Sequence, residues 1–104
     1  MSQTYSGGFI VATTTGVTVT SGSSSASVAI PNAADGNKPR FIRVASTGEC
    51  YIKVGVSGVA ATTGDIMVQP ADAVLLAIPS GITHLAYIQG TNSAKVNITP
   101  LESI

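Results

Sequence analysis

The side chains capable of acid–base or metal chemistry are few, and they lie far apart along the chain. His84 is the only histidine, and the five acidic residues fall one at a time in loops or at strand ends. A catalytic triad or a zinc site needs a histidine with acidic, nucleophilic or ligating partners, and the sequence places none near His84. We therefore predict a protein that is not an enzyme and binds no metal ion and no cofactor. His84 is interpreted as a strand-edge histidine bonded to backbone or solvent.

The remaining candidate groups have structural interpretations. Cys50 is the only cysteine, which excludes an intrachain disulfide and a paired-cysteine metal or redox motif. Asp65 and Asp72 flank one short predicted strand, but calcium loops have denser oxygen ligands, and Asp at a turn usually bonds the local backbone. The glycines of GVSGVAATTG, residues 55–64, lack the spacing of phosphate-binding loops, so this segment is interpreted as a surface connection.

The composition indicates association with other protein surfaces. Charged residues make up 10% of the chain and the formal net charge is zero, whereas about 25% charged residues is usual. The dispersed charges form no basic patch for nucleic acid, and the longest apolar run, residues 73–79, is too short to span a membrane. A weakly charged surface favours self-association, the alternative being a monomer coated with uncharged polar residues.

The N-terminal residues 1–8 are polar and end in two glycines, with Tyr5 as their one aromatic residue. We predict a flexible arm, either disordered or docked on a partner through Tyr5. The first fifteen residues lack the basic and apolar regions of a signal peptide, so we expect the chain to be made and folded in a reducing cytoplasm.

Residues 9–104 are predicted to form one all-β domain. Short β-branched runs alternate with Gly, Pro, Asn and Asp turn signals, and no window has a helical period. This pattern predicts a single-domain β-sandwich or jelly-roll-like barrel of about eight short antiparallel strands. The run AVLLAI, residues 73–78, is apolar on both faces, which indicates a strand covered on both sides.

A central β-hairpin is predicted in RFIRVASTGECYIKV, residues 40–54. A two-residue loop at Thr47-Gly48 would mix charge into both faces, whereas a three-residue loop ending at Gly48 sorts apolar from polar side chains. We adopt the three-residue loop, with Gly48 in the left-handed conformation of a bulged turn. Its predicted inward pairs are Val44 with Cys50 and Ile42 with Ile52.

The other face of this predicted hairpin supplies candidate binding residues. It carries a quartet of two aromatic and two basic side chains: Phe41, Arg43, Tyr51 and Lys53. The quartet is either a subunit interface or a small platform for sugar. Tyr and Arg are enriched at the centres of protein interfaces and the chain has no Trp, so we favour the interface.

A second hairpin is predicted between residues 83–89 and 94–99, across the turn GTNS. Pairing Gln89 with Lys95 directs four apolar side chains inward: Ala86, Ile88, Val96 and Ile98. Leu85 and Tyr87 then lie on the opposite face, where we expect them to contact another subunit.

Three stretches in the region from Phe41 to Thr99 carry a resemblance to a known class of proteins. They are FIRVASTGECYIKVGVSGVAATTGDIMV, then IPSGITHLAYIQ, and a closing KVNIT. Together they resemble small virion structural proteins of tailed bacteriophages, of the capsid decoration (cement) or head-spike type.

The resemblance implies a β-sandwich that oligomerises, often as a trimer, and binds the assembled capsid surface through the major capsid protein or another virion protein. It implies no catalytic residues, and it places the protein in the virion after synthesis in the host bacterial cytoplasm. The alternative function is a glycan-binding jelly-roll module that attaches to host surface sugars. A small subunit of a cellular β-rich assembly is the third interpretation.

Overall fold

The structure is a computed structural model that describes residues 10–11, 14–34, 36–70 and 72–103. In these residues the secondary structure consists of β-strands alone. The strands are β1 Ile10–Val11, β2 Val17–Thr20, β3 Ala26–Ala29, β4 Phe41–Ser46, β5 Cys50–Gly55, β6 Ile66–Val68, β7 Val74–Ala77, β8 His84–Gln89 and β9 Lys95–Ser103. No helix in this part of the chain is long and apolar enough to cross a membrane.

The strands form two antiparallel sheets with a nested pairing order. Strand β2 pairs with β9, β3 with β8, β4 with β7 and β5 with β6. Sheet I is completed by pairing of β4 with β9 and of β1 with β9, and sheet II by pairing of β5 with β8. This order is that of a hairpin folded over on itself, the jelly roll. The predicted all-β sandwich is therefore confirmed.

The core lies between the two sheets. Side chains alternate along each strand, so every second residue of β4, β5, β8 and β9 enters it. Its fully or almost fully buried members are Ile30, Ile42, Val44, Cys50, Ile52, Val68, Leu85, Tyr87, Val96 and Ile98. Burial of each large side chain contributes about 1.5–3 kcal/mol relative to exposure.

Both predicted hairpins are wrong, because each connection crosses from one sheet to the other. Ile42 lies opposite Leu76 and Pro100, and Ile52 lies opposite Ile66 and Tyr87. Gly48 is not among the glycines with positive φ. The four side chains predicted to point inward, those of Ile42, Val44, Cys50 and Ile52, are nevertheless buried. Alternation buries the same side chains whether two strands pair edge to edge or face each other across a core.

In the second predicted hairpin, the inward and outward faces of the first strand were also assigned wrongly. The structure pairs β8 with β5, where Tyr87 lies opposite Ile52 and Leu85 opposite Val54. Leu85 and Tyr87 are therefore 0% and 7% exposed, while Ile88 lies half-buried on the outer face. Ala86, which was also predicted to be inward, is buried (0% exposed). A one-residue difference in register moves a whole strand's side chains to the other face. The predicted inward positions of Val96 and Ile98 are right, and both are fully buried.

The connections gather at the two ends of the sandwich. At one end, backbone hydrogen bonds from Ser21 to Ala94 and from Gly90 to Glu49 join three short loops. At the other end, the backbone N–H of Ile78 donates to the Arg40 carbonyl (2.7 Å) and that of Thr83 to the Gly55 carbonyl (3.0 Å). This second end, formed by residues 30–34, 36–40 and 78–83 with the start of the segment that follows β5, is called the long-loop end below.

Candidate functional site

The jelly roll separates the predicted quartet into two pairs. Ile42 and Val44 of β4 enter the core, so Phe41 and Arg43 lie on the outer face of sheet I. Cys50 and Ile52 of β5 enter it from the other side, so Tyr51 and Lys53 lie on the outer face of sheet II. The two outer faces point in opposite directions, so the quartet does not form one surface and that prediction is wrong.

Two further candidates are not surface residues. Leu85 and Tyr87 belong to the buried core cluster, so a subunit contact through their side chains is wrong. Tyr5 and the predicted arm, residues 1–8, lie outside the described residues.

The outer face of sheet I contains an apolar area that the sequence prediction missed. Leu75 lies opposite Arg43 and Ala77 opposite Phe41, so these four residues form one block across β4 and β7. Leu75 is 59% exposed, Ala77 and Arg43 are exposed, and Phe41 is half-buried. We call this block the β7 face. The AVLLAI run was predicted to be covered on both sides, but among the described residues β7 is an edge strand, and its outer side chains, Leu75 and Ala77, are exposed.

The other half of the same outer face is polar and satisfied. The Asn97 amide donates to the Thr18 hydroxyl (3.1 Å), and the Thr99 hydroxyl donates to the Asn97 amide oxygen (2.6 Å). In contrast, the Arg43 guanidinium has no hydrogen-bond or ion-pair partner among the described residues. The β7 face is thus an apolar surface with one unpaired cation, bordered by a hydrogen-bonded polar strip.

The outer face of sheet II carries a second, smaller apolar row. Tyr51 lies between Met67 of β6 and Ile88 of β8. Met67 is 42% exposed, and Tyr51 and Ile88 are half-buried. We call these three residues the Tyr51 row. Lys53 lies beside the row, and its ammonium has no partner among the described residues.

The segment after β5 is anchored more firmly than a plain surface connection. The Ala61 backbone N–H donates to the Ser25 hydroxyl (2.8 Å), and Ala61 is only 3% exposed. Asp65 accepts from the Thr62 N–H (2.8 Å), which agrees with the predicted local role of an Asp at a turn.

A groove of about 620 Å³ opens at the long-loop end, between residues 38–41 and 77–83. Its walls include Pro39, Pro79 and Ile82, and its polar groups include Arg40 and Ser80. The sequence analysis predicted turns at Pro39 and at Pro79–Ser80–Gly81 but no binding groove there, and Phe41 was the one candidate binding residue in this lining. The signal for the groove was the concentration of Pro, Gly and Lys/Arg in the two loops.

The chemically capable side chains are held in local contacts. The His84 Nδ1 and the Thr83 hydroxyl are 2.8 Å apart, so a neighbouring side chain is the partner of this half-buried histidine. Burial raises the pKa of the Cys50 thiol above its ordinary value of 9.0, and a hydrogen bond with Ser46 opposes this in part. The described residues contain no group of three or more His, Cys, Asp or Glu side chains placed to hold a metal ion.

The chain was compared with protein-family models, curated proteins and solved structures. None of them matches.

Proposed function

We propose that this chain is a non-enzymatic virion structural protein that oligomerises and binds the surface of an assembled bacteriophage capsid. The observation that carries the proposal is the exposed β7 face. A four-residue edge strand built from Val, Leu, Leu and Ala has the composition of a strand covered on both sides, and in the part of the chain that the structure describes its outer side chains are exposed.

The β7 face has the properties of a subunit contact. Leu75 and Ala77 supply apolar area, and Arg43 is a cation of the type enriched at interface centres. Because net charge is zero and charged residues are few, little electrostatic repulsion separates two copies. We propose a trimer in which Leu75, Ala77 and Arg43 of each β7 face contact the neighbouring copy, while Phe41, which also lines the groove at the long-loop end, stays outside the contact.

The Tyr51 row is the proposed contact with the capsid. It lies on the opposite side of the sandwich from the β7 face, so one face can hold a neighbouring copy while the other lies on the shell. Tyr51 offers a ring and a hydroxyl, and Met67 an adaptable apolar side chain. The jelly roll is common among viral capsid proteins, and this analogy of fold agrees with the resemblance seen in residues 41–99.

The glycan platform of the alternative function required the quartet to lie together. Since the fold separates those residues, that form of the alternative is not proposed.

Two measurements test the proposal. Light scattering at about 100 μM should give about three times the chain mass of 10.4 kDa, since an interface of standard size holds subunits together well below that concentration. Co-sedimentation with phage capsids assembled without this chain should show binding that changes little with sodium chloride, because the contact is mainly apolar. A monomer at this concentration, or a protein that stays in the supernatant, contradicts the proposal.

A further inference from the structure

The groove at the long-loop end has a volume and a lining suited to a small ligand. Its volume of about 620 Å³ lies within the range of roughly 300–1,000 Å³ found for small-molecule sites. Two prolines and Ile82 make its walls apolar, and Phe41, at the edge of the β7 face, adds a half-buried aromatic residue to its lining. The groove therefore offers apolar contact to a ligand that also needs polar partners.

The charged groups of the groove are both positive, since Lys38 and Arg40 are the charged residues in the described part of its lining. Arg40 is exposed, and its guanidinium has no partner among the described residues. Lys38 is a second basic residue of the lining, and its ammonium donates to the Ile30 carbonyl (2.7 Å). None of the described residues that line the groove is acidic. The complementary ligand is anionic, and an Arg fork matches a carboxylate with two parallel hydrogen bonds.

The backbone of the groove argues against an extended peptide as the ligand. Peptides that add to a sheet edge need free backbone N–H and C=O groups. Here the Ile78 and Thr83 N–H groups donate to Arg40 and Gly55, and Ile82 closes a turn onto Pro79. Gly81, with φ of +91°, completes this type II turn, and the two prolines have no N–H. A peptide strand therefore cannot pair with the Ile78 and Thr83 N–H groups, and the side chains of the groove offer a ring, apolar walls, a hydroxyl and a cation.

We propose that this groove binds a carboxylated saccharide, such as a uronic acid residue of a surface polysaccharide. The carboxylate pairs with Arg40, the apolar side of the sugar ring packs on Phe41, and the Ser80 hydroxyl bonds a sugar hydroxyl. This site uses none of the Tyr51 row and goes beyond capsid binding.

The test is an NMR titration of the oligomer as purified, with glucuronate, glucose, acetate and hexaglutamate as probes. Glucuronate and glucose share a ring and differ at the carboxylate, whereas acetate carries the carboxylate alone. We expect glucuronate to shift the amides of Arg40, Ser80 and Gly81 and to bind at least about tenfold more tightly than glucose or acetate. Arg40→Ala should weaken glucuronate at least about tenfold, and Arg40→Lys should restore part of the loss.

Lys53→Ala is the matched control, because it removes an equally unpaired cation from the opposite sheet. It should leave glucuronate binding unchanged. If glucose binds as tightly as glucuronate, the cations have no role in binding and the proposal is overturned. If acetate binds as tightly as glucuronate, the groove is a simple anion site and the proposal of a saccharide is overturned. Tighter binding of hexaglutamate identifies an acidic peptide as the ligand instead. Absence of shifts up to about 20 mM glucuronate, the edge of weak specific binding, also overturns the proposal.

Discussion

The hydroxyl of Ser21 is bonded to both backbone groups of Ala94, a residue 73 positions away along the chain. It accepts from the Ala94 N–H (2.8 Å) and donates to the Ala94 carbonyl (3.1 Å), and the Ser21 N–H donates to the same carbonyl (2.8 Å). Ser21 is 2% exposed. One buried serine thus fastens the end of β2 to the turn that precedes β9.

Ser21→Ala should lower the free energy of unfolding by about 1–3 kcal/mol, because the Ala94 N–H is left buried without its acceptor. Urea denaturation monitored by circular dichroism measures the change. Ser24→Ala, at an exposed position of the same loop, is the control and should stay within about 0.5 kcal/mol of the wild type. Equal stability of the two variants would show that the buried hydrogen bonds contribute nothing.

Gly16→Ala should destabilise the fold by at least about 1–3 kcal/mol through overpacking. A methyl group at this position would collide with the carbonyl oxygen of Ile98 and lie 2.9 Å from the Thr99 Cα, both of which are backbone atoms. Gly22→Ala is the matched control, since nothing lies within 4 Å of its added Cβ. A thermal melt that ranks Gly22→Ala below Gly16→Ala would contradict the close approach of the chain before β2 to β9.

Ile52→Ala should cost about 2–5 kcal/mol, the usual loss for a buried Ile, because the side chain is fully buried at the centre of sheet II. In a domain of this size each kcal/mol corresponds to about 4–8 °C in Tm. Val56→Ala removes a side chain that is 59% exposed and should change Tm little. An unchanged Tm for Ile52→Ala is incompatible with the core described above.

Leu75→Lys and Met67→Glu should separate the two proposed contacts. A second cation directly opposite Arg43 adds like-charge repulsion and must be desolvated in the subunit interface, so Leu75→Lys should give a folded monomer by light scattering. Met67→Glu should keep the oligomer mass but lose co-sedimentation with capsids. Both side chains are exposed, so circular dichroism should show both variants folded. A Leu75→Lys protein with unchanged mass rules out the β7 face as the subunit contact.

The buried thiol of Cys50 should make stability fall in alkaline solution. Its pKa is raised in the folded state, chiefly by burial, so the unfolded chain loses its proton first as pH rises above 9.0. Below that pH both states are protonated and the thiol has no effect. Above it the unfolded state is favoured, by up to about 1.4 kcal/mol per pH unit until the folded thiol ionises. The difference between wild type and Cys50→Val in urea denaturation from pH 8 to about pH 10.5 isolates this effect, and a constant difference contradicts it.

The local alternation of apolar and polar residues was sufficient to predict the fold class and much of the core. Ile42, Val44, Cys50, Ile52, Val96 and Ile98 were all predicted to be inward, and all are fully buried. Alternation depends only on the geometry of one strand, so it survives an error in the choice of partner. The turn at Pro79–Ser80–Gly81 was predictable for the same reason, since a glycine with positive φ is a local requirement.

Strand pairing, and with it every candidate surface, was decided by the tertiary structure. The loops before Cys50 and before Lys95 are short enough for hairpins, yet both cross between sheets, because the jelly roll pairs β4 with β7 and β9 and pairs β8 with β3 and β5. This strand pairing buries Tyr87, places Arg43 and Tyr51 on opposite sides of the sandwich, and leaves the Leu75 side chain exposed. Burial of two sheet faces against each other is a property of the whole chain, so no window of sequence contains it.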